Sequence, residues 1–181
     1  MKTITTLLLT AAATFAVTAC SDKKPSNDII TSKQVEKAPA SPVKMQDSDQ
    51  KSKVEWTGKD YTVDISRKSD TALPIITDES GTKYYDNRIT VKVTRPDGTL
   101  FFNKVFTKND FADITGENYL KKTALLGIVV DSAEDGSLNL AASVGAPDVL
   151  SDDYIPMIIS ISRMGDVSIK KDERAEFDID E

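Results

Sequence analysis

The alternation of apolar and polar side chains at every second position is the pattern that most constrains this chain. Apolar residues occupy positions 61, 63 and 65, and the same alternation returns at 89, 91 and 93. All six are β-branched or aromatic. A period of two places them on one face of a strand, so the pattern predicts strands with one buried face.

Turn residues separate the alternating stretches. Arg95-Pro96-Asp97-Gly98 has proline and glycine where a turn between paired strands favours them. The continuous apolar run 124–130 indicates a strand covered on both faces, and 73–77 indicates a further strand that Pro74 confines to an edge or a strand start. Three hairpins are predicted, over 88–106, 124–144 and 157–169.

These hairpins predict an all-β fold. We expect an antiparallel meander of about seven or eight strands that forms a sandwich or a partly open barrel. One short helix is predicted near 108–113, because Thr107 followed by Asp110 resembles a capping box, and a further helical turn is expected near 117–121.

The N-terminus has the pattern of an export signal. Lys2 precedes an apolar run of 16 residues, 4–19, which is short for a membrane-spanning helix. The run ends at Val17-Thr18-Ala19-Cys20, an aliphatic residue and two small residues before cysteine, as in a bacterial lipobox. We expect cleavage after residue 19 and lipid, such as palmitate, on Cys20. The alternative is an ordinary signal peptide with an incidental cysteine.

The expected organisation follows from this signal. Residues 1–19 are predicted to be the signal peptide, 20–52 the lipidated cysteine and a disordered polar tether, 53–175 the all-β domain and 176–181 an acidic tail. The alternative for the tether is that Ile29-Ile30 adds to the domain as an edge strand. Ser21 after the cysteine favours the outer membrane, and the mixed charges of the residues that follow, with no acidic run, favour its periplasmic face.

Composition excludes several classes of site. The chain has no histidine, so a histidine-based triad or histidine-ligated zinc cannot form within it. Cys20 is its one cysteine, so it forms no internal disulfide. The formal net charge is −6, which disfavours nucleic acid and anionic lipid as partners. We predict no cofactor and no metal, and membrane attachment through lipid alone.

An enzyme of this composition would use carboxylates, as glycosidases do. No pair stands out by its spacing, and we interpret the acidic residues as strand faces and turns. Residues 131–136 lack the ligand spacing of a calcium loop, and Asp148 with Asp152 and Asp153 is a weak candidate for a cation clamp. The acidic candidates are Asp60, Asp64, Asp78, Glu79, Asp86, Asp131, Glu134, Asp135, Asp148, Asp152 and Asp153.

Aromatic side chains are the alternative candidates, because their faces stack on sugars. Trp56, Tyr84 and Tyr85 are the predicted ligand-binding residues. Adjacent strand residues point to opposite faces, so one of the two tyrosines is expected to be exposed.

Short spaced patterns recur across residues 55–171. They are Asp86-Asn87 with Ile89 and Val91, Asp97-Gly98 with Phe101 and Lys104, Phe106-Thr107-Lys108 with Phe111, and Ser143 with Pro147. These patterns resemble those of a family of uncharacterised lipoproteins from Bacteroidetes, classed as a domain of unknown function. The resemblance implies an envelope lipoprotein and transfers no activity.

Together these observations predict a membrane-anchored envelope lipoprotein that is a binding or structural module and not an enzyme. An envelope protein or a glycan is the expected partner. A glycan- or peptidoglycan-binding module and a carboxylate-based hydrolase are the alternatives.

Overall fold

The computed structural model describes residues 41–134 and 136–176. Two four-stranded antiparallel sheets make up most of this part of the chain. No helix within it is long and apolar enough to cross a membrane. Cys20, the predicted signal peptide, the Ile29-Ile30 pair and residues 177–181 of the predicted tail lie outside the described residues.

The first sheet has the strand order β1-β2-β5-β6. The turn between β1 and β2 is Thr57-Gly58, with φ of 55° and 69°. Both values are left-handed, as the favoured two-residue hairpin turn requires. The strands are β1 (Ser48–Trp56), β2 (Lys59–Ser69), β5 (Asn87–Thr94) and β6 (Leu100–Phe106).

The second sheet has the order β10-β9-β8-β7, so its strands follow one another as a meander. A separate small hairpin pairs β3 with β4, and Val43 forms an isolated parallel bridge with Tyr84 of that hairpin. The strands are β7 (Ala124–Ala133), β8 (Ser137–Gly145), β9 (Tyr154–Ser162), β10 (Val167–Lys171), β3 (Ile76–Thr77) and β4 (Lys83–Tyr84).

A short helical segment connects the two sheets. Thr107 precedes it, and the backbone N–H of Thr107 donates to the Asp110 carboxylate at 2.9 Å, which confirms the predicted pairing. The segment consists of a 3₁₀ turn (Lys108–Phe111), α1 (Ala112–Thr115) and α2 (Glu117–Leu120). A second 3₁₀ turn, Glu173–Glu176, follows β10.

The core lies between the inner faces of the two sheets. Alternate residues of β5 are buried, and so are alternate residues of β8, which is the pattern expected of strands with one core face. The helical segment packs against this core through Phe111, which is buried together with Phe106 at the end of β6. Their ring centroids are 6.3 Å apart. The predicted all-β sandwich is therefore confirmed, as are its three hairpins.

Strands β1 and β7 are the neighbouring edges of the two sheets, and they lie side by side without a hydrogen-bonded ladder. Arg67 bridges one end of this β1–β7 seam by donating to the carbonyl oxygens of Leu126 and Gln46. Trp56 bridges the other end by donating to the carbonyl of Glu134 at 2.8 Å. Two side-chain anchors thus hold the two sheets together along this edge.

Several predicted boundaries are wrong. The predicted tether, 20–52, is too long, because β1 begins at Ser48 and Val43 already pairs with β4. The strand expected over 73–77 has only two residues. The described residues form ten strands, two of which have only two residues each, against about seven or eight expected. Strand β7 is not covered on both faces, because it buries Ile128 and exposes the next residue, Val129.

Candidate functional site

Trp56, predicted to bind a ligand, belongs to the core. Only 2% of the residue is exposed. Its ring centroid lies 5.3 Å from that of Tyr61 and 5.5 Å from that of Phe101, in tilted and edge-to-face arrangements. Trp56 therefore offers no free face for a sugar, and its prediction as a stacking residue is wrong because the β1–β7 seam closes over it.

Tyr84 and Tyr85 point to opposite sides, as expected for neighbouring residues of an extended chain. Tyr84 is buried in a small second core with Ile76 and Ala124. Burial raises the pKa of the Tyr84 hydroxyl, with a further contribution from Asp78. Tyr85 is half-buried, and the Lys44 ammonium lies 5.7 Å from its ring centroid. The three predicted aromatic residues thus form no common platform.

A buried ion pair links Asp86 to Lys108. The Lys108 Nζ lies 3.3 Å from Asp86 Oδ2 and donates to the carbonyl oxygen of Thr123 at 2.8 Å. The other carboxylate oxygen of Asp86 accepts the backbone N–H of Asn87 at 2.8 Å and that of Leu125 at 3.2 Å. These interactions join the start of β5, the 3₁₀ turn and the start of β7.

Asn87 extends this buried polar cluster. Its Nδ2 donates to the carbonyl oxygen of Leu125 at 2.8 Å, and Ser69 approaches its Oδ1 at 3.4 Å. Asp86-Asn87 and Lys108 are among the residues that carry the family resemblance. Their partners are backbone and buried side-chain groups, so their role is to fix the helical segment and β7 against the first sheet.

Three segments distant in sequence enclose a groove of about 710 Å³. They are the β3–β4 turn, the end of α2 with the residues after it, and the loop between β8 and β9. We call this feature the acidic groove, because its lining has four carboxylates and one lysine. Its lining residues are Asp78, Glu79, Ser80, Asn118, Tyr119, Lys122, Thr123, Ala146, Asp148, Ser151 and Asp153.

Asp78 organises the β3–β4 turn. Its Oδ1 accepts the Ser80 hydroxyl at 2.7 Å and the backbone N–H groups of Ser80 and Thr82 at 2.9 and 2.8 Å. The Ser80 hydroxyl is the largest cause of a lowered Asp78 pKa, and the backbone donors add to it. This carboxyl is therefore held ionised, which suits electrostatic binding better than the work of a general acid.

Helix α2 connects the two other walls of the groove. The Tyr119 hydroxyl donates to Asp153 Oδ1 at 2.9 Å, and Lys122 Nζ lies 3.1 Å from Glu79 Oε1. Burial, followed by the bond to Asp153, raises the pKa of the Tyr119 hydroxyl, so it stays a neutral donor. The first bond joins α2 to the β8–β9 loop, and the second joins Lys122, two residues after α2, to the β3–β4 turn.

The β8–β9 loop presents two aliphatic side chains to solvent. The backbone N–H of Ala146 donates to the Asp153 carbonyl at 2.8 Å and closes the loop. Inside it, the Asp148 carboxylate accepts the N–H of Leu150 at 3.0 Å. Val149 and Leu150 are 91% and 86% exposed. The loop is thus held by its own hydrogen bonds while its apolar tip stays uncovered.

A second cavity, of about 630 Å³, lies at the second sheet. Its lining is polar: Ser160 donates to Asn139 Oδ1 at 2.7 Å, and Asn139 Nδ2 donates to Ser132 at 3.2 Å. At its rim Arg174 bonds to both Asp131 and Asp172. These groups bond to one another, and carboxylates of the acidic groove also bond to their neighbours. The acidic groove is the stronger candidate because one of its loops also carries the exposed Val149 and Leu150.

The predicted carboxylates have separate positions. Four of them, Asp78, Glu79, Asp148 and Asp153, meet in the acidic groove. Asp86 is in the buried polar cluster, and Asp135 lies outside the described residues. Within residues 41–134 and 136–176 no three Asp, Glu, His or Cys side chains are grouped as a metal site requires, so the cation clamp proposed for 148–153 has no geometric support.

Comparison with known proteins identifies one family. Residues 28–169 match the model described as "Domain of unknown function (DUF4738)", which covers the sandwich through most of β10 and extends before β1. No curated protein matches the chain. The predicted resemblance to a domain of unknown function is confirmed; the affiliation with Bacteroidetes lipoproteins stays a prediction.

Proposed function

We propose that this chain, which belongs to the family described as Domain of unknown function (DUF4738), is a membrane-anchored envelope lipoprotein whose β-sandwich is a binding module. The observation that carries the binding role is the acidic groove with Val149 and Leu150 exposed beside it. Isolated exposed apolar residues are ordinary, but here two adjacent ones lie in a hydrogen-bonded loop whose residues Asp148 and Ser151 line a large groove, and this combination supports a binding role.

The anchor is proposed from the sequence. Val17-Thr18-Ala19-Cys20 supplies the lipobox, and 20 residues lie between Cys20 and the first described residue. Several acyl chains on one cysteine hold a protein on a bilayer far more firmly than one chain does. Ser21 supports an outer-membrane location facing the periplasm. The domain is then concentrated at a membrane surface, where a binding module meets other envelope components.

The aromatic residues give little support to the glycan-binding alternative, since Trp56 and Tyr84 are buried. The hydrolase alternative requires a carboxyl with a raised pKa as general acid. In the acidic groove, hydrogen bonds from Ser80 and Thr82 lower the pKa of Asp78, which is the opposite of the change that a general acid needs. Neither alternative is therefore favoured over a binding module.

Metabolic labelling tests the anchor. Cells expressing the chain are fed a palmitate analogue, and the Cys20→Ala variant is compared with a Ser21→Ala control. We expect label and membrane fractionation for the parent chain and the control, and loss of both for Cys20→Ala. A Cys20→Ala variant that stays with the membrane would disprove the anchor.

Site-directed photo-crosslinking tests the binding role. A photoreactive residue is placed at Leu150 in the groove loop or, as a control, at Asp60 in the β1–β2 hairpin. A discrete adduct from position 150 that is missing from position 60 is expected in intact cells. Equal adduct patterns from the two positions would count against a binding role for the groove.

A further inference from the structure

We infer that the acidic groove binds a protein segment in which cationic side chains neighbour aliphatic ones. The inference rests on the proposed binding role of this surface and names the partner's chemistry. It combines two properties, the carboxylates that line the groove and the exposed aliphatic pair that lies in the β8–β9 loop between the lining residues Asp148 and Ser151.

The charge of the groove selects for cations. Four carboxylates face one lysine, and that lysine is paired with Glu79. Asp152 adds a further carboxylate to the β8–β9 loop. Asp78 is held ionised by its hydrogen bonds. Lysine or arginine side chains of a partner therefore find complementary charge here, which accelerates association and excludes anionic partners.

The exposed aliphatic pair selects for apolar neighbours of those cations. Val149 and Leu150 expose nearly all of their surface, so contact with an aliphatic side chain removes apolar area from water on both partners. The bonds from Asp148 and Asp153 hold the loop in place before binding. A preformed loop loses little conformational freedom on association.

The same two properties argue against other partners. Anionic lipid headgroups and nucleic-acid phosphates are repelled by the groove and by the net charge of −6. A purely polar cation leaves the aliphatic pair in water. The volume of about 710 Å³ lies within the usual range of roughly 300–1,000 Å³ for ligand sites, which suits a short peptide segment.

Fluorescence anisotropy with labelled peptides tests the inference. The Cys20→Ala chain, which lacks the proposed lipid attachment, is titrated against a peptide of alternating lysine and leucine and one of alternating arginine and valine. Matched peptides of lysine with serine, and of glutamate with leucine, separate charge from apolar contact. We expect binding of the first two peptides, with an affinity that falls as salt is raised.

Two paired variants locate the binding. Val149→Ser/Leu150→Ser removes the aliphatic pair, and we expect about tenfold weaker binding. Glu79→Gln/Asp153→Asn removes two charges while the amide oxygen introduced at position 153 still accepts the Tyr119 bond, and we expect binding weaker by roughly fivefold. The matched controls, Leu100→Ser/Val105→Ser on β6 and Glu55→Gln/Asp60→Asn at the β1–β2 hairpin, are expected to change affinity less than about twofold.

Several outcomes would overturn the inference. One is no binding of either cationic–aliphatic peptide, and another is equal binding of the lysine–serine peptide. Equal weakening by groove and control variants would indicate non-specific charge attraction. Val149- and Leu150-dependent binding to vesicles of anionic phospholipid would assign the loop to a membrane. Photo-crosslinking from position 150 tests the binding role without assuming the partner's chemistry. A position-specific adduct combined with no binding of either cationic–aliphatic peptide would therefore overturn this inference and leave the binding role standing.

Discussion

The Lys108 ammonium lies 3.3 Å from the Asp86 carboxylate, and the two residues are only 8% and 1% exposed. Lys108 comes from the helical segment and Asp86 from the residue before β5. Through the Thr123 carbonyl and the Leu125 N–H the same pair holds the start of β7. One buried ion pair therefore joins both sheets to the segment that connects them.

Replacing one member of this pair is expected to destabilise the fold strongly. Lys108→Met leaves a buried carboxylate without its countercharge, which costs about 3–5 kcal/mol. Asp86→Asn/Lys108→Met removes both charges while the asparagine oxygen still accepts N–H bonds, so the double variant is expected to be more stable than Lys108→Met alone. Urea unfolding followed by circular dichroism measures both.

The control for this prediction is an exposed pair. Lys51 and Asp64 lie 3.4 Å apart, with side chains 72% and 37% exposed, and Lys51→Met is expected to cost less than about 1 kcal/mol. Equal losses for Lys108→Met and Lys51→Met would contradict a structural role for the buried pair.

Gly145 is required by the close approach of the chain at the start of β9. A Cβ at this position would overlap the carbonyl oxygen of Asp153 and lie 2.5 Å from the Tyr154 Cβ. Gly145→Ala is therefore expected to lower the free energy of unfolding by about 1–3 kcal/mol. It is also expected to increase amide hydrogen exchange in the β8–β9 loop, because the Ala146–Asp153 bond must shift.

Gly127→Ala is the matched control. Gly127 is also a strand glycine, but a Cβ built on it has no neighbour within 4 Å. The unfolding free energy of Gly127→Ala is expected to differ from that of the parent chain by less than about 0.5 kcal/mol. A Gly145→Ala variant as stable as Gly127→Ala would show that the start of the β8–β9 loop can accommodate a Cβ atom at residue 145.

The true start of the domain can be tested by truncation. A chain beginning at residue 41 keeps the Val43 bridge and all of β1, and it is expected to unfold cooperatively. A chain beginning at residue 53, the predicted boundary, loses Ser48–Ser52 and their ladder to β2. It also loses the Gln46 carbonyl that Arg67 binds. We expect a melting temperature lower by several degrees or no folding, measured by differential scanning calorimetry, and equal melting temperatures would restore the boundary at 53.

Asp78 predicts an acid dependence of stability. Hydrogen bonds hold its folded-state pKa below the ordinary value of 3.8, so the folded state binds the proton more weakly than the unfolded chain does. The stabilisation is present above about pH 4 and is lost as the pH falls through the folded-state pKa. The difference in unfolding free energy between the parent chain and Asp78→Asn should therefore shrink between pH 5 and roughly pH 2.

Asp60→Asn is the control for the acid dependence, because Asp60 lies exposed at the β1–β2 hairpin. The difference in unfolding free energy between Asp60→Asn and the parent chain should vary less over the same pH range. If the Asp78→Asn difference is unchanged by acid, the hydrogen bonds around Asp78 do not discriminate between its charged and neutral forms.

The central strands were predictable because each buries one face against the core, and this places an apolar residue at every second position of the sequence. Strand β5 buries every second residue, and its turn carries Pro96 and Gly98. The first half of β1 has no such signal. It is a polar edge strand, held by its backbone ladder and by Asp49, which bonds to Ser66 and Lys68. Backbone pairing of this kind is indistinguishable in sequence from a polar tether.

The acidic groove could not be predicted for a different reason. Its walls come from residues near 78, 119 and 150, and no wall contains a motif on its own. Trp56 illustrates the opposite case, in which a residue predicted to bind a ligand belongs to the core. A single aromatic residue at a strand end has the same sequence pattern in the core and on a rim, and only the neighbouring sheet edge decides between them.

The bridge between Val43 and Tyr84 has a mechanical consequence. Val43 donates to the Lys83 carbonyl at 2.8 Å and accepts from the Tyr85 N–H at 3.0 Å. Tension on the N-terminal chain reaches these two bonds before it reaches the longer β1–β2 ladder. A load that separates Val43 from these partners acts directly on β4, and the β3–β4 turn with Asp78 is attached to that strand. Force on the residues before Val43 would therefore displace one wall of the acidic groove before it opens the β1–β2 ladder.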